Sequence, residues 1–186
     1  MKIGKATLPR SAICTSNEDT IVVRGADLSR DLIGHINFGD YFFLLVTGRR
    51  ADAATSAVLN ATLVAIAEHG LVPSVQAARM TLAAAPDAMQ GAVAAGLLGS
   101  GSVILGASET AGRLYLAIEK EAEKHGGDLH AAARVVVADL RARKLPIAGY
   151  GHPEHKKRDP RVGSLFDVSL KAGGGQRYVE IAKVVE

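Results

Sequence analysis

The chain has 186 residues, of which 48% are hydrophobic and 22% are charged, and its formal net charge is +3. These proportions are typical of a folded globular protein and exclude intrinsic disorder as its general state. Aromatic residues make up 4% and tryptophan is absent, which disfavours a surface that grips bases or sugars by many stacked rings. The length predicts a single domain over residues 1–186, with a core of Ala, Val, Leu and Ile.

The cysteine content and the apolar stretches limit the kinds of covalent or metal site and the cellular compartment that we expect. Cys14 is the only cysteine, which excludes an intramolecular disulfide and a cysteine-based zinc site, and we predict no bound metal. The start, MKIGKATLPR, lacks the apolar run of a secretory signal, so we expect a cytoplasmic protein. Residues 88–108 are uncharged and long enough to span a bilayer. Their many glycines and small side chains instead predict a buried helix, a turn and a second element, without membrane contact.

The first 24 residues are the only convincing β region. Ala12–Ser16 and Thr20–Arg24 are short β-prone runs, and the turn-like Asn17-Glu18-Asp19 lies between them. This pattern predicts a short β-hairpin within residues 1–24. From Asp27 onward the apolar period becomes helical, so residues 25–186 are predicted to form a helical region.

The predicted fold class is mainly α. Apolar spacing and stop signals predict helices over 27–36, 41–47, 51–69, 73–85, 87–98 and 108–125, then from Asp128 to Pro146, and over 162–172 and 176–186. Ser74, Ser108 and Asp128 are the predicted N-caps of three of them. The last apolar pattern runs to Glu186 without a cap, which predicts that the protein continues past this residue.

Positive charge is concentrated near the end of the chain. Between Arg141 and Arg161 there are seven Lys or Arg residues against two acidic ones. The loop within this segment reads GYGHPEHKKRDPR from Gly149 to Arg161. Its glycines allow backbone amides to approach a ligand, and its basic residues create the field that phosphates or carboxylates need. A solvated basic loop and a nucleic-acid patch remain alternatives, although the scarcity of aromatics disfavours nucleic acid.

A second candidate segment is His69-Gly70-Leu71-Val72-Pro73-Ser74. His69 is predicted at a helix C-terminus, where the helix dipole favours the protonated imidazole. Ser74 is predicted to cap the following helix. An ordinary C-terminal histidine followed by an ordinary cap is the alternative interpretation of the same residues.

Four segments, in their order and spacing, resemble the citrate synthase family, which includes citryl-CoA lyases and methylcitrate synthases. The segments are RGADLSRDLIGHINFGDYFFLLVTGR (24–49), EHGLVPSVQAAR (68–79), GSGSVILGASE (99–109) and GYGHPEHKKRDPR (149–161). The last resembles the family's G-F/Y-G-H segment with its D-P-R ending, which is the most diagnostic piece. The resemblance covers almost the whole chain. It implies a helical bundle like a shortened citrate synthase, a small N-terminal hairpin and a homodimer.

The resemblance also implies the chemistry of the site. The family makes or cleaves the carbon–carbon bond between an acetyl-CoA unit and oxaloacetate. His69, in the segment that contains Ser74, resembles the histidine that holds the oxaloacetate or citrate portion. His152 resembles the histidine that donates a hydrogen bond to the ketone oxygen as it becomes an alkoxide. Arg161 resembles the arginine that binds a substrate carboxylate through two hydrogen bonds.

The remaining implied contacts concern coenzyme A. Lys156, Lys157 and Arg158 lie where the family places basic residues near the CoA phosphates. A CoA thioester is thus expected as a substrate, with no permanently bound cofactor. Ile104 stands where the family has the histidine that stabilises the enol, and an isoleucine cannot donate that hydrogen bond. The alternative function is therefore a non-catalytic protein that binds dicarboxylate and CoA.

Overall fold

The computed structural model describes residues 11–101, 106–151, 155 and 158–186. Within them the chain forms two compact units, one ending at Val64 and one beginning at Ala65. The single domain predicted from the length stays a prediction. None of the helices formed by these residues is long and apolar enough to cross a membrane.

The first unit begins with a small antiparallel sheet. Strands β1 (Cys14–Ser16) and β2 (Ile21–Val23) pair with Cys14 opposite Val23, which is the predicted hairpin. The Asn17 side chain accepts hydrogen bonds from the backbone of Asp19 and Thr20, which fixes the turn. A third strand, β3 (Ala26–Asp27), extends the sheet beyond the prediction. It forms because Arg24 and Gly25 both adopt positive φ and reverse the chain.

The helical part of the first unit begins with one turn of π-helix over Leu28–Leu32, capped by Asp27. The predicted helix over 27–36 is thus wrong in length, because Ile33 returns to extended backbone and Gly34 has a positive φ. Helix α1 (Phe38–Thr47) follows, with Asn37 as its N-cap and Gly48 in the left-handed conformation at its end. The core of this unit is Val23, Leu32 and Leu44.

Helix α2 (Ala53–Ile66) leads from the first unit into the second. Asp40 of α1 accepts hydrogen bonds from Ser56 and Asn60, both in the first eight residues of α2. Gly39 lies so close to Asn60 that a Cβ there would overlap its side-chain oxygen. The predicted helix continued to residue 69, whereas α2 ends three residues earlier.

The second unit contains two groups of helices. Helices α3 (Pro73–Ala84) and α4 (Met89–Leu98) pack against each other. Helices α5 (Ala107–Lys124), α6 (Leu129–Ala142) and α8 (Gln176–Val185) surround one core, and α7 (Pro160–Lys171) packs on α8. The buried core residues are Leu114, Ile118, Ala122, Leu129, Ala132, Ala133 and Ile181.

The helix ends of this unit confirm some predicted caps and correct others. Asp128 accepts hydrogen bonds from the backbone of His130 and Ala131, so it caps α6 as predicted. Ser108 is not the cap of α5, because this helix begins at Ala107 after Gly106. Helix α6 ends at Ala142, before Pro146, since Lys144 adopts a positive φ. The predominance of helix and the N-terminal hairpin agree with the predicted fold class.

Candidate functional site

The N-terminus of α7 is built around the Asp159-Pro160-Arg161 triplet. Asp159 is the N-cap and accepts a hydrogen bond from the Arg161 backbone, and Pro160 occupies the first helical position. Proline suits this position because the helix needs no donor there. The helix therefore begins two residues earlier than the predicted 162, inside the expected polar loop. Asp159 was missed as a site residue, although an Asp-Pro pair before an apolar helix is an N-terminal signal.

The side chains of Asp159 and Arg161 form a two-pronged ion pair. The Arg161 Nε donates to Oδ1 at 3.0 Å and Nη2 donates to Oδ2 at 2.6 Å. The hydrogen bonds from Arg161 hold the pKa of the Asp159 carboxyl well below its usual range, and the same bonds raise the pKa of Arg161. The Asp159 side chain is 18% exposed and that of Arg161 is 37% exposed. The guanidinium is thus held in place but remains reachable.

Arg161 also connects α7 to the end of α2. Its Nη1 donates to the backbone carbonyl of Ala65 at 3.4 Å, and both residues belong to the second unit. This carbonyl lies in the last turn of α2, where helix carbonyls have no partner within the helix. Ala65 is four residues before His69 in the sequence. The structure therefore brings the D-P-R triplet to the helix end that leads into the His69 segment.

His69 lies on an exposed stretch between α2 and α3. Because α2 ends at Ile66, His69 lies beyond the last helical turn, and its predicted place at the C-terminus of a helix is wrong. The turn is shaped by Gly70, which has a positive φ and donates its backbone N–H to Glu68. The imidazole is accessible to a ligand from solvent.

Ser74 is inside α3 rather than at its N-cap, which is Val72 without a side-chain hydrogen bond. The capping prediction is therefore wrong, because Pro73 already starts the helix. Ser74 is 8% exposed and faces α4, where Gly96 and Gly99 leave room for its backbone. Its surroundings are those of a helix–helix contact, and its substrate-binding role stays a prediction.

Arg158 contacts Glu186 and Phe166 rather than Asp159. Its Nη2 lies 3.4 Å from Oε2 of Glu186, and its guanidinium carbon is 6.0 Å from the centre of the Phe166 ring. Both charged side chains of this pair are 47% exposed, so water screens their attraction and a competing anion can reach Arg158. Arg158 and Arg161 thus make separate contacts.

A cleft with a volume of about 460 Å³ lies beside the N-terminal half of α7 in the second unit. Loop residues Gly149 and Gly151 line it, and both have positive φ, so glycine is required there by conformation. The cleft has a mixed charge, with Arg141, His155, Arg158, Asp159 and Glu186 among its lining residues. Such a lining suits an anionic ligand that also carries hydrogen-bond donors.

Tyr150 fixes the loop that forms one wall of the cleft. Its hydroxyl donates to the Ala182 carbonyl at 2.9 Å and accepts from the Tyr115 hydroxyl at 3.1 Å. Burial, followed by the hydrogen bond with Tyr115, raises the pKa of Tyr150 above its ordinary value. Tyr150 therefore stays protonated and anchors the glycine loop to α5 and α8.

Four predicted positions lie outside the described residues: His152, Lys156, Lys157 and Ile104. Their roles stay predictions. Across the part of the chain that the structure describes, no three His, Cys, Asp or Glu side chains come together in a way that could hold a metal ion.

One family model and several solved structures are similar to this chain. A family model, the C-terminal domain of citrate synthase, matches residues 19–186. The citryl-CoA lyase of Hydrogenobacter thermophilus has a similar structure, with a TM-score of 0.80 and 28% identity, over 96% of this chain and 66% of that one. The ATP citrate lyase of Methanothrix soehngenii, solved with citrate and coenzyme A, has a TM-score of 0.80 and 22% identity, over 99% of this chain and 29% of that one. No curated protein matches by sequence.

The chain spans a little under two thirds of the citryl-CoA lyase and about three tenths of the ATP citrate lyase. Both comparisons confirm the mainly α fold with a small N-terminal sheet. Because the family model covers nearly all of the described residues, the chain belongs to the citrate synthase family and resembles its citryl-CoA lyases.

Proposed function

We propose that this protein makes or cleaves the carbon–carbon bond between an acetyl-CoA unit and oxaloacetate, as a citryl-CoA lyase or a citrate synthase-like enzyme. The observation that carries the proposal is Arg161, which is charged, 37% exposed and held by Asp159 beside the helix end that leads to His69. A fixed guanidinium is the group best suited to a substrate carboxylate, because its N–H groups match the two carboxylate oxygens.

The proposed roles divide between holding the dicarboxylate and polarising its oxygen. Arg161 binds one carboxylate, and His69 holds the oxaloacetate or citrate portion with help from the Ser74 segment. His152 donates a hydrogen bond to the ketone oxygen that becomes an alkoxide when the bond forms, while the acetyl carbon gives up a proton to a base. When the bond breaks, the carbon regains a proton and His152 stabilises the same oxygen. A donor aimed at developing charge contributes a rate factor of about 10²–10³ in comparable oxyanion sites.

Coenzyme A is proposed to bind through its phosphates to Lys156, Lys157 and Arg158. Arg158 is paired with Glu186, so a phosphate at this position would take the place of that carboxylate. The exposure of the pair makes the exchange inexpensive. No permanently bound cofactor is needed for this chemistry, since the thioester itself activates the carbon that reacts.

The test of the leading function is release of acetyl-CoA and oxaloacetate from citryl-CoA, compared between the unmodified chain and His152→Ala. We expect the variant to lose activity by about 10²–10³-fold. His130→Ala is a matched control, because His130 is an exposed histidine on α6 outside every proposed contact. An unchanged rate in His152→Ala contradicts the role of this residue.

A second candidate is a protein that binds the dicarboxylate and CoA without chemistry, and Ile104 is the observation that favours it. Calorimetry separates the two functions. Tight binding of oxaloacetate or CoA without cleavage or exchange of the thioester supports the binding protein. Release of both products supports the enzyme.

The basic loop allows CoA recognition to be tested apart from dicarboxylate recognition. Replacing Lys156 and Lys157 by Gln is expected to weaken CoA binding by about 1–3 kcal/mol for each phosphate that no longer has a lysine partner. Oxaloacetate binding is expected to change much less. Equal weakening of both ligands would show general electrostatic attraction and would remove the proposed assignment of the lysines.

We also propose a homodimer in the cytoplasm, formed through α4. The small residues of α4 face α3 of the same chain, since a Cβ at Gly96 would lie 3.3 Å from that of Ala78. A neighbouring face of α4 exposes Met89, Val93 and Leu97, which are 64%, 55% and 69% exposed and repeat every four residues. A second copy would bury this stripe. Light scattering that gives the mass of one chain at micromolar concentration would overturn the dimer, and Val93→Glu is expected to produce that mass.

A further inference from the structure

Asp159 has more contacts than a helix cap requires. A capping side chain needs one oxygen to accept one backbone N–H. In Asp159 that bond is made by Oδ1, which accepts the Arg161 backbone N–H at 2.9 Å. The same carboxylate also accepts from Nε and Nη2 of the Arg161 side chain, using both of its oxygens. The second set of contacts fixes the guanidinium and adds nothing to the cap.

The donors of Arg161 can be counted. A guanidinium has five N–H groups, one on Nε and two on each terminal nitrogen. Asp159 accepts from Nε and from Nη2, and the Ala65 carbonyl accepts from Nη1. With respect to the residues that the structure describes, one N–H on each terminal nitrogen has no acceptor. Two donors are the number that a carboxylate needs for a two-pronged contact.

From these contacts we propose that Asp159 is a positioning residue, which orients Arg161 so that its two remaining N–H groups face a ligand carboxylate. The inference rests on the proposed function and adds a residue to it. Without Asp159, the long arginine side chain samples several rotamers and must be ordered when the ligand binds. With Asp159, that ordering is complete beforehand, and the affinity for a carboxylate increases accordingly.

The pairing has a second consequence, for selectivity. Asp159 and Arg161 together are neutral, so the pair attracts anions over a distance less strongly than a lone arginine would. The proposed role of Asp159 requires that the preordering of Arg161 outweighs this loss once the ligand is in contact. Recognition then depends on whether a ligand can accept both N–H groups at once. The arrangement favours a planar carboxylate over a monatomic anion such as chloride.

The test uses Asp159→Asn, because asparagine caps a helix as well as aspartate but cannot form the ion pair. Citrate binding is measured by calorimetry for the unmodified chain and the variant, with the melting temperature as the control for folding. We expect citrate to bind about tenfold more weakly to the variant, the size of one charge-assisted hydrogen bond. Asp159→Ser, another capping residue without charge, repeats the test should the first variant be poorly folded.

Arg161→Gln shows whether Asp159 acts through Arg161. In this background, Asp159→Asn is expected to change citrate affinity no further, as measured by the shift in melting temperature at high citrate concentration. A general structural effect would persist in both backgrounds and would overturn the inference. Unchanged citrate affinity in Asp159→Asn alone would also overturn it. Absence of citrate binding to the unmodified chain would overturn the proposed function, and this inference with it.

Discussion

The contact between α3 and α4 supplies a prediction whose size follows from distances in the structure. A Cβ added at Gly99 would lie 2.9 Å from the Ser74 Cα and 3.2 Å from its Cβ. The first of these atoms is backbone, so it cannot rotate away, and the two helices must separate for Gly99→Ala to fit. Gly99 has φ of −79° and ψ of −3°, which alanine adopts without strain, so the clash is the main cost.

Overpacking of this kind costs about 1–3 kcal/mol. Alanine recovers part of it, about 0.5–1 kcal/mol, because it loses less backbone entropy than glycine on folding. We therefore expect Gly99→Ala to lower the free energy of unfolding by about 1–2 kcal/mol. The measurement is urea denaturation followed by circular dichroism, with the midpoint shifted and the slope unchanged.

Gly91→Ala is the matched control within α4. A Cβ at Gly91 would lie 3.9 Å from the Ala88 Cβ and 4.0 Å from the Thr81 Cγ2, which are ordinary contact distances. Here only the entropic gain remains, so we expect this variant to be more stable by about 0.5–1 kcal/mol. The two substitutions thus have opposite signs. Equal stability of the two variants would refute the reasoning from the α3–α4 distances.

Three further predictions concern the core, a helix cap and an acidic residue. Ile118 is fully buried between α5, α6 and α8, so Ile118→Ala is expected to lower the free energy of unfolding in urea by about 2–5 kcal/mol. Leu116→Ala, on the exposed side of α5, should lower it far less. Similar losses of stability in the two variants would place Ile118 outside the core. Asp128→Ala is expected to lower the melting temperature and Asp128→Asn to preserve it, because both Asp and Asn can accept the two backbone hydrogen bonds that begin α6; equal melting temperatures would exclude a capping contribution. The hydrogen bond from Arg30 lowers the pKa of Asp31 from 3.8 to about 2. The ionised carboxylate therefore stabilises the folded chain above about pH 4, and this stabilisation disappears as the pH falls from about 4 toward 2. Asp31→Asn should make the urea midpoint depend less on pH in that range, and an unchanged pH dependence would contradict the lowered pKa of Asp31.

Several elements could be predicted from the sequence because their causes are local. The hairpin turn depends on Asn17, whose side chain bonds to residues two and three positions later. The caps at Asn37 and Asp128 act over the same distance. The pair of Glu109 and Arg113, which are four residues apart on one helix, depends on that spacing alone and is present at 2.6 Å. Such contacts form within one turn of backbone, so the residue types are enough to predict them.

Other features depend on contacts between distant parts of the chain, and sequence patterns misplaced them. Serine is a common N-cap residue, but Pro73 begins the helix before Ser74, and packing against Gly99 buries Ser74. The predicted helix end at residue 69 failed for a related reason, because no local signal marks Ile66 as the last helical residue. Packing between helices decides where a side chain lies relative to another helix. The spacing of residues along one helix does not show which other helix packs on it.

The sequence by itself determined the family, since four segments in order carry the resemblance that the family model confirms over residues 19–186. It also determined the mainly α architecture, through apolar spacing and capping residues. Only the tertiary structure decided which groups the arginine of the D-P-R triplet contacts. Arg161 reaches a carbonyl 96 positions away in the sequence, at Ala65, and the same guanidinium pairs with Asp159. That arrangement follows from the packing of helices that lie far apart in the chain, because a guanidinium can be oriented only by groups that the fold has brought to it.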